Sequence, residues 1–129
     1  MTNNRIELVE EMIAAIERGD VELVRSLYSP SIIVWANFDG RERDRDASLS
    51  LLDWLISVTT ERRYEIVRRI EIEGGVLQQH VLHGTTTVGR TFSMPACLVV
   101  NIDNGLVVRI DEYLDPAAIT AAATDLATT

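Results

Sequence analysis

Apolar residues recur at Ile6, Val9, Ile13 and Ile16, with Glu7, Glu10, Glu11 and Glu17 between them. Steps of three and four residues put these apolar side chains on one face of a helix. Asn3 or Asn4 can cap it and Gly19 can end it. Asp20 opens a second short helix, Val21 to Tyr28, with Leu23, Val24 and Leu27 on its apolar side and Pro30 as a stop. Ile32, Ile33, Val34 and Trp35 are β-formers and predict a strand from Ser31 to Phe38, closed by the turn signal Asp39-Gly40. A polar loop, Arg41 to Arg45, leads to a third helix. Asp46 caps it, and Leu51, Leu52, Trp54, Leu55 and Val58 are its apolar residues.

The pattern then changes to strands. Tyr64 to Glu73 places Ile66, Arg68, Ile70 and Ile72 on one face by strict alternation. Gly74-Gly75 marks a hairpin, Val76 to Thr87 a strand, Val88-Gly89-Arg90 a loop and Thr91 to Ile102 the next strand. Asp103-Asn104-Gly105 turns into the last strand, Leu106 to Leu114, and Asp115-Pro116 starts a short C-terminal helix with Asp115 as its cap. Residues 120–129 are Ala/Thr-rich and read as a frayed tail, which leaves an ordered part of about 4–119. Helix, helix, strand, helix and a four-strand meander, without parallel crossovers, predict a single α+β domain over residues 1–129. The helices close one face of the sheet. Leu82 and Val108 oppose Val81 and Val107 in parity, so the other face is apolar as well, and a second copy of the chain would cover it.

Composition narrows the function classes. Twelve Lys and Arg against 20 Asp and Glu give a net charge of −8. Such a chain repels nucleic acid and anionic membranes, so neither is expected as a partner. The one cysteine, Cys97, lies in an apolar run and reads as a small buried hydrophobe; it excludes an internal disulfide and a cysteine-based zinc cluster. No apolar run reaches the roughly 20 residues of a membrane span, and the first residues lack the pattern of a signal peptide. A cytoplasmic location is the expectation.

Three stretches carry a family resemblance. Met12 to Asp20 is a helix ending in Gly-Asp. Val24 to Phe38 is a short helix and strand followed by a glycine turn. Asp103 to Pro116 is a turn and strand ending in Tyr113-Leu114-Asp115. Together they resemble the SnoaL-like domains of the nuclear transport factor 2-like superfamily, with the ketosteroid isomerases, limonene epoxide hydrolases and polyketide cyclases. The resemblance implies a cystatin-like cone, a curved antiparallel sheet wrapped around three helices, with a pocket in its mouth. It also implies a small, largely apolar ligand and no cofactor. In the hydrolases and cyclases the catalytic acid stands three positions before the Asp that closes the last strand, which here is Glu112. The hydrolase Tyr and Asn of the first strand fall at Trp35 and Asn37, its Arg at His80 and its Asp at Leu82. The ketosteroid isomerase Tyr falls at Met12, its base near Ala36 or Asn37 and its oxyanion-holding Asp near Cys97. These replacements disfavour both activities.

Glu112 and His80 are therefore the candidate catalytic pair: a carboxylate and an imidazole in one apolar pocket can exchange a proton, and the carboxylate would favour the charged ring. The alternative is an ordinary polar pair in a vestigial pocket. Trp35 is either core or a wall for a flat ligand. Asn37, a polar amide on a mostly apolar strand, must hydrogen-bond a ligand or bound water or serve the adjacent turn. Met12, Trp54, Leu82, Met94 and Ile110 complete the candidate lining. His83 has the opposite parity to His80, and two histidines so spaced on a strand make no metal site. Two functions remain open: acid–base catalysis of an isomerase, cyclase, hydrolase or dehydratase type, or a non-catalytic ligand-binding or dimerisation module. A cone plugged by Trp35, Met12 and Trp54 would mark the second.

Overall fold

The computed structural model describes residues 4–124. Helix α1 (Asn4–Arg18) buries Val9, Met12, Ile13, Ala15 and Ile16. It ends at Gly19, whose φ of 76° suits glycine alone among unstrained residues. The turn lets Asp20 donate its N–H to the Ala15 carbonyl at 2.8 Å. The Asp20 side chain then accepts from Leu23 N–H and caps α2 (Val21–Leu27). Tyr28 belongs to strand β1 (Tyr28–Ala36), not to the helix. Helix α3 (Arg45–Val58) is capped by Asp44, whose Oδ1 accepts from Ala47 N–H at 2.9 Å, so the cap lies two residues before Asp46. The expected loop before it holds a two-residue strand, β2 (Glu42–Arg43).

Strand β3 (Thr59–Ile72) follows α3 at once and is longer than its alternation predicts. It pairs with β4 (Gly75–Thr86), β5 (Thr91–Asp103) and β6 (Leu106–Leu114) as an antiparallel meander. The full sheet runs β2-β1-β6-β5-β4-β3. β1 lies parallel to β6, against the expectation of a sheet without parallel neighbours. The meander returns the chain to β1 only at its last strand, and in that direction. A fourth helix, α4 (Ala117–Ala123), buries Ile119 and Ala122, so residues 120–123 are not frayed. Its cap position is Pro116, and Asp115 accepts from Ala117 N–H beside it. The expected cap Asn3 and the tail from 125 onward lie outside the described residues.

Bulges redirect side chains at two places that matter. Between Ile66 and Arg68 the β3–β4 register shifts by one, so Ile66 opposes His80 on the inner face while Arg68 and Ile70 oppose Gln79 and Leu77 on the outer face. The expected common face of Ile66, Arg68 and Ile70 is thereby split, and Arg69 turns inward. A second shift between Asn101 and Ile102 lets both Val107 and Ile110 point into the core. The helices pack on the inner face, α1 against β3 and β4, α3 against β1 and α4 against β5. Two buried clusters result, one around Met12, Ile32 and Val100 and one around Leu82, Phe92 and Ile119, with Tyr64 packed against both.

Candidate functional site

Between the two clusters lies a cavity of about 450 Å³. Met12, Trp54, Leu82, Met94 and Ile110 line it, as do His80 and Glu112. Trp35 does not. It pairs with Asp111 across β1 and β6, on the outer face, and packs edge-on against Tyr113 at 5.3 Å between ring centroids. The inward residues of β1 are Tyr28, Ile32, Val34 and Ala36. A run of consecutive β-formers carries no alternation, so its sequence left the parity open. The cone is accordingly not plugged by Trp35, Met12 and Trp54.

Asn37 also stands outside the cavity. Its backbone N–H donates to the Glu112 carbonyl at 3.0 Å, and its Oδ1 accepts from Leu114 N–H at 2.8 Å. The amide oxygen is thus spent on the strand ladder and not on the following turn. It extends the β1–β6 ladder past its end and clamps the backbone on either side of Glu112.

The cavity holds Glu112 in an unusual state. Burial among apolar side chains raises its pKa from the usual 4.5 to about 7, against a smaller opposing pull from Arg43. Among the described residues no hydrogen-bond donor meets its carboxylate. Two phenols share the cavity, Tyr28 and Tyr64. Burial raises the pKa of each well above the ordinary tyrosine value, and the nearby Glu112 charge raises it further, so both stay protonated donors. Neither hydroxyl has a hydrogen-bond partner among the described residues. Arg43 closes the rim with its guanidinium paired to Asp39 at 2.6 Å and set 5.6 Å from the Phe38 ring centre.

His80 and Glu112 face one cavity, but they are not a proton-sharing pair. The row His80, Ala96, Leu114 runs beside the row Gln78, Leu98, Glu112, so the two residues sit two strands apart and offset by two positions. That is roughly 12 Å between backbones. Burial, helped by the Arg69 charge, pushes the imidazole down to about 4 and keeps it neutral, contrary to the expected imidazolium. His83 lies on the outer face, bonded to Glu65 at 2.7 Å and Ser93 at 2.8 Å. Among the described residues no three His, Cys, Asp or Glu side chains converge on a metal site, and no helix is long and apolar enough to cross a membrane.

Sequence reasoning passed over Tyr28, Tyr64 and Arg43. Tyr64 was recoverable, since it stands opposite Leu82 in the β3–β4 pairing. Tyr28 was hidden by its reading as the end of a helix, and Arg43 by the charge alternation of its segment.

Comparison with known proteins follows the same lines. A family profile described as SnoaL-like domain matches residues 9–110. An NTF2-like protein of unknown function from Burkholderia pseudomallei superimposes with a TM-score of 0.79 at 18% identity, over 96% of this chain and 100% of that one. An LEH-like epoxide hydrolase from M. tuberculosis gives 0.77 at 17% identity, over 95% and 90%. IdmH from Streptomyces antibioticus, a proposed polyketide cyclase, gives 0.79 at 18%, over 90% and 95%. Identities this low establish the shared fold. No curated protein is significantly similar in sequence.

Proposed function

Since the chain belongs to the SnoaL-like domain family, whose fold leaves the reaction to the side chains of the cavity, we propose that it binds a small, largely apolar carbonyl compound and enolises it without a cofactor. One observation carries this reading: Glu112, Tyr28 and Tyr64 bring polar groups without protein partners into a largely apolar cavity. Glu112 is the base. Its pKa of about 7 makes it basic enough to abstract a proton and leaves a substantial fraction ionised near neutrality. The carboxylate takes a proton from the carbon beside the carbonyl. The C–H electron pair becomes the enolate C=C bond, and the carbonyl π pair moves to oxygen, toward the phenol donors. Return of the proton to another carbon isomerises the substrate; attack of the enolate carbon on a second carbonyl closes a ring.

The test is hydrogen–deuterium exchange. Flat apolar ketones are incubated with the protein in D₂O, and deuterium at the α-carbon is read by NMR. Exchange above background, lost by about 10²–10⁴-fold in Glu112→Gln, is the expected result. A wild-type protein that exchanges none of the ketones and is stabilised by none in a thermal-shift measurement overturns the reading.

The chain also acts as a homodimer through the sheet. Its outer face carries exposed Val67, Ile70 and Tyr113 and half-buried Leu77, Val81 and Val99. Charges on that face are only partly paired within the chain: Arg109 meets Asp111 and Glu42 and His83 meets Glu65, while Arg63 and Arg68, outward on β3, have no ion pair among the described residues. A second copy covers the apolar middle of the face and leaves the Arg63 and Arg68 guanidiniums at its rim or meets them with its own carboxylates.

A further inference from the structure

His80 receives its proton arrangement from a chain of contacts that starts at the protein surface. Glu10 on α1 accepts from Arg69 Nη1 at 3.4 Å. Arg69 Nε donates to Gln78 Oε1 at 2.8 Å, and Gln78 Nε2 lies 2.9 Å from His80 Nδ1. Only one assignment fits. A guanidinium has donors and no acceptor, so it must face the amide oxygen of Gln78. The amide NH₂ then faces His80, and an NH₂ donates. His80 Nδ1 must accept, which leaves the ring proton of the neutral imidazole on Nε2.

We propose that Arg69 and Gln78 are positioning residues that hold His80 as the neutral Nε2–H tautomer, so that the cavity presents a fixed hydrogen-bond donor to a substrate oxygen. Three features support this. Gln78 is fully buried and His80 is 3% exposed, so the amide–imidazole link is shielded from bulk solvent. The β3 bulge exists at the one place that turns Arg69 inward; without it Arg69 would lie on the outer face with its neighbour's parity. His80 Nε2 has no protein partner among the described residues, while the ring lines the cavity and packs edge-on against Tyr64 at 4.8 Å. A neutral imidazole N–H polarises a carbonyl oxygen without giving up its proton. The oxygen it serves sits at the β4 side of the cavity, away from Glu112 on β6. The occupant therefore carries an acceptor oxygen at that end. An ammonium group or a hydroxyl offered only as donor is disfavoured there.

Long-range ¹H–¹⁵N NMR of the histidine-labelled protein reads the tautomer directly. The expected wild-type spectrum at neutral pH has His80 Nε2 protonated and Nδ1 unprotonated. Gln78→Glu offers His80 an acceptor and should move the proton to Nδ1. Arg69→Met frees the amide to rotate and should give a mixture of tautomers, and it serves where Gln78→Glu does not fold. A wild-type spectrum with Nδ1 protonated, or both variants with the wild-type tautomer, overturns the proposal. A second arm rests on the enolisation reading above: Gln78→Glu should lower the deuteration rate at low ketone concentration by about tenfold, mainly through KM, because His80 holds an oxygen remote from the enolising carbonyl. If the tautomer moves and the rate does not, the substrate-facing role of His80 falls while enolisation stands. If the wild type deuterates no ketone, enolisation falls and the tautomer measurement still decides the role of Arg69 and Gln78.

Discussion

Glu112 and His80 are displaced in opposite directions by the same cause, and that has a measurable consequence for stability. The carboxyl is raised to about 7 and the imidazole lowered to about 4, each because burial penalises its charged form. For Glu112 the folded chain holds its proton longer than the unfolded chain, so its contribution is full below the usual 4.5 and is lost as pH rises toward about 7. For His80 the unfolded chain binds the proton first. Its contribution is full above the usual 6.5 and is lost as pH falls toward about 4. The two slopes oppose each other across the same window, and the wild-type protein should show a shallow dependence between them. Glu112→Gln removes the falling limb. Urea titrations of that variant should show stability rising with pH from about 4 to 6.5 more steeply than in the wild type. Equal slopes would mean that Glu112 titrates normally.

Strand register decides which side chains meet in the cavity, and register depends on single residues. Gly84 on β4 is one of them: a Cβ there would lie 2.5 Å from the Phe92 ring on β5. The ring packs over the glycine and belongs to the cluster that walls the cavity with Leu82, Met94 and Ile119. Gly84→Ala should cost about 1–3 kcal/mol through overpacking, seen as a lowered midpoint in denaturant at unchanged m-value. A neutral effect would show that Phe92 moves freely. The elements that were readable before folding share a trait with this pair. α1, α2 and the hairpin turns are set by contacts within a few residues, such as the Asp20 cap and the Gly19 turn. The errors lie elsewhere. Asp44 and Asp46 are both good caps, and the choice between them depends on where α3 meets β1.

For the molecule as a whole, the inner face of the sheet is closed by four helices and the outer face is open. Leu77 lies on that outer face, opposite Ile70 and Val99. Leu77→Asp puts a charge at the middle of the proposed dimer surface without touching the cavity. Sedimentation should show the wild type at twice the monomer mass and the variant at the monomer mass, with the Glu112 environment unchanged. A wild-type protein that sediments as a monomer at high concentration would refute the dimer.

Local chemistry determined the element order and the α+β class, because helix periodicity, caps and strict alternation act over a few residues. The resemblance to SnoaL-like domains pointed to His80 and Glu112 on the same grounds of position. Tertiary structure alone decided the rest. Trp35 and Asn37 turned outward because β1 takes its parity from pairing with β6, more than 70 residues away. Arg69 turned inward because β3 bulges against β4. Once burial removes water from Glu112 and His80, their protons follow the cavity instead of the amino-acid type, and no pattern along a chain can state how dry a side chain will become.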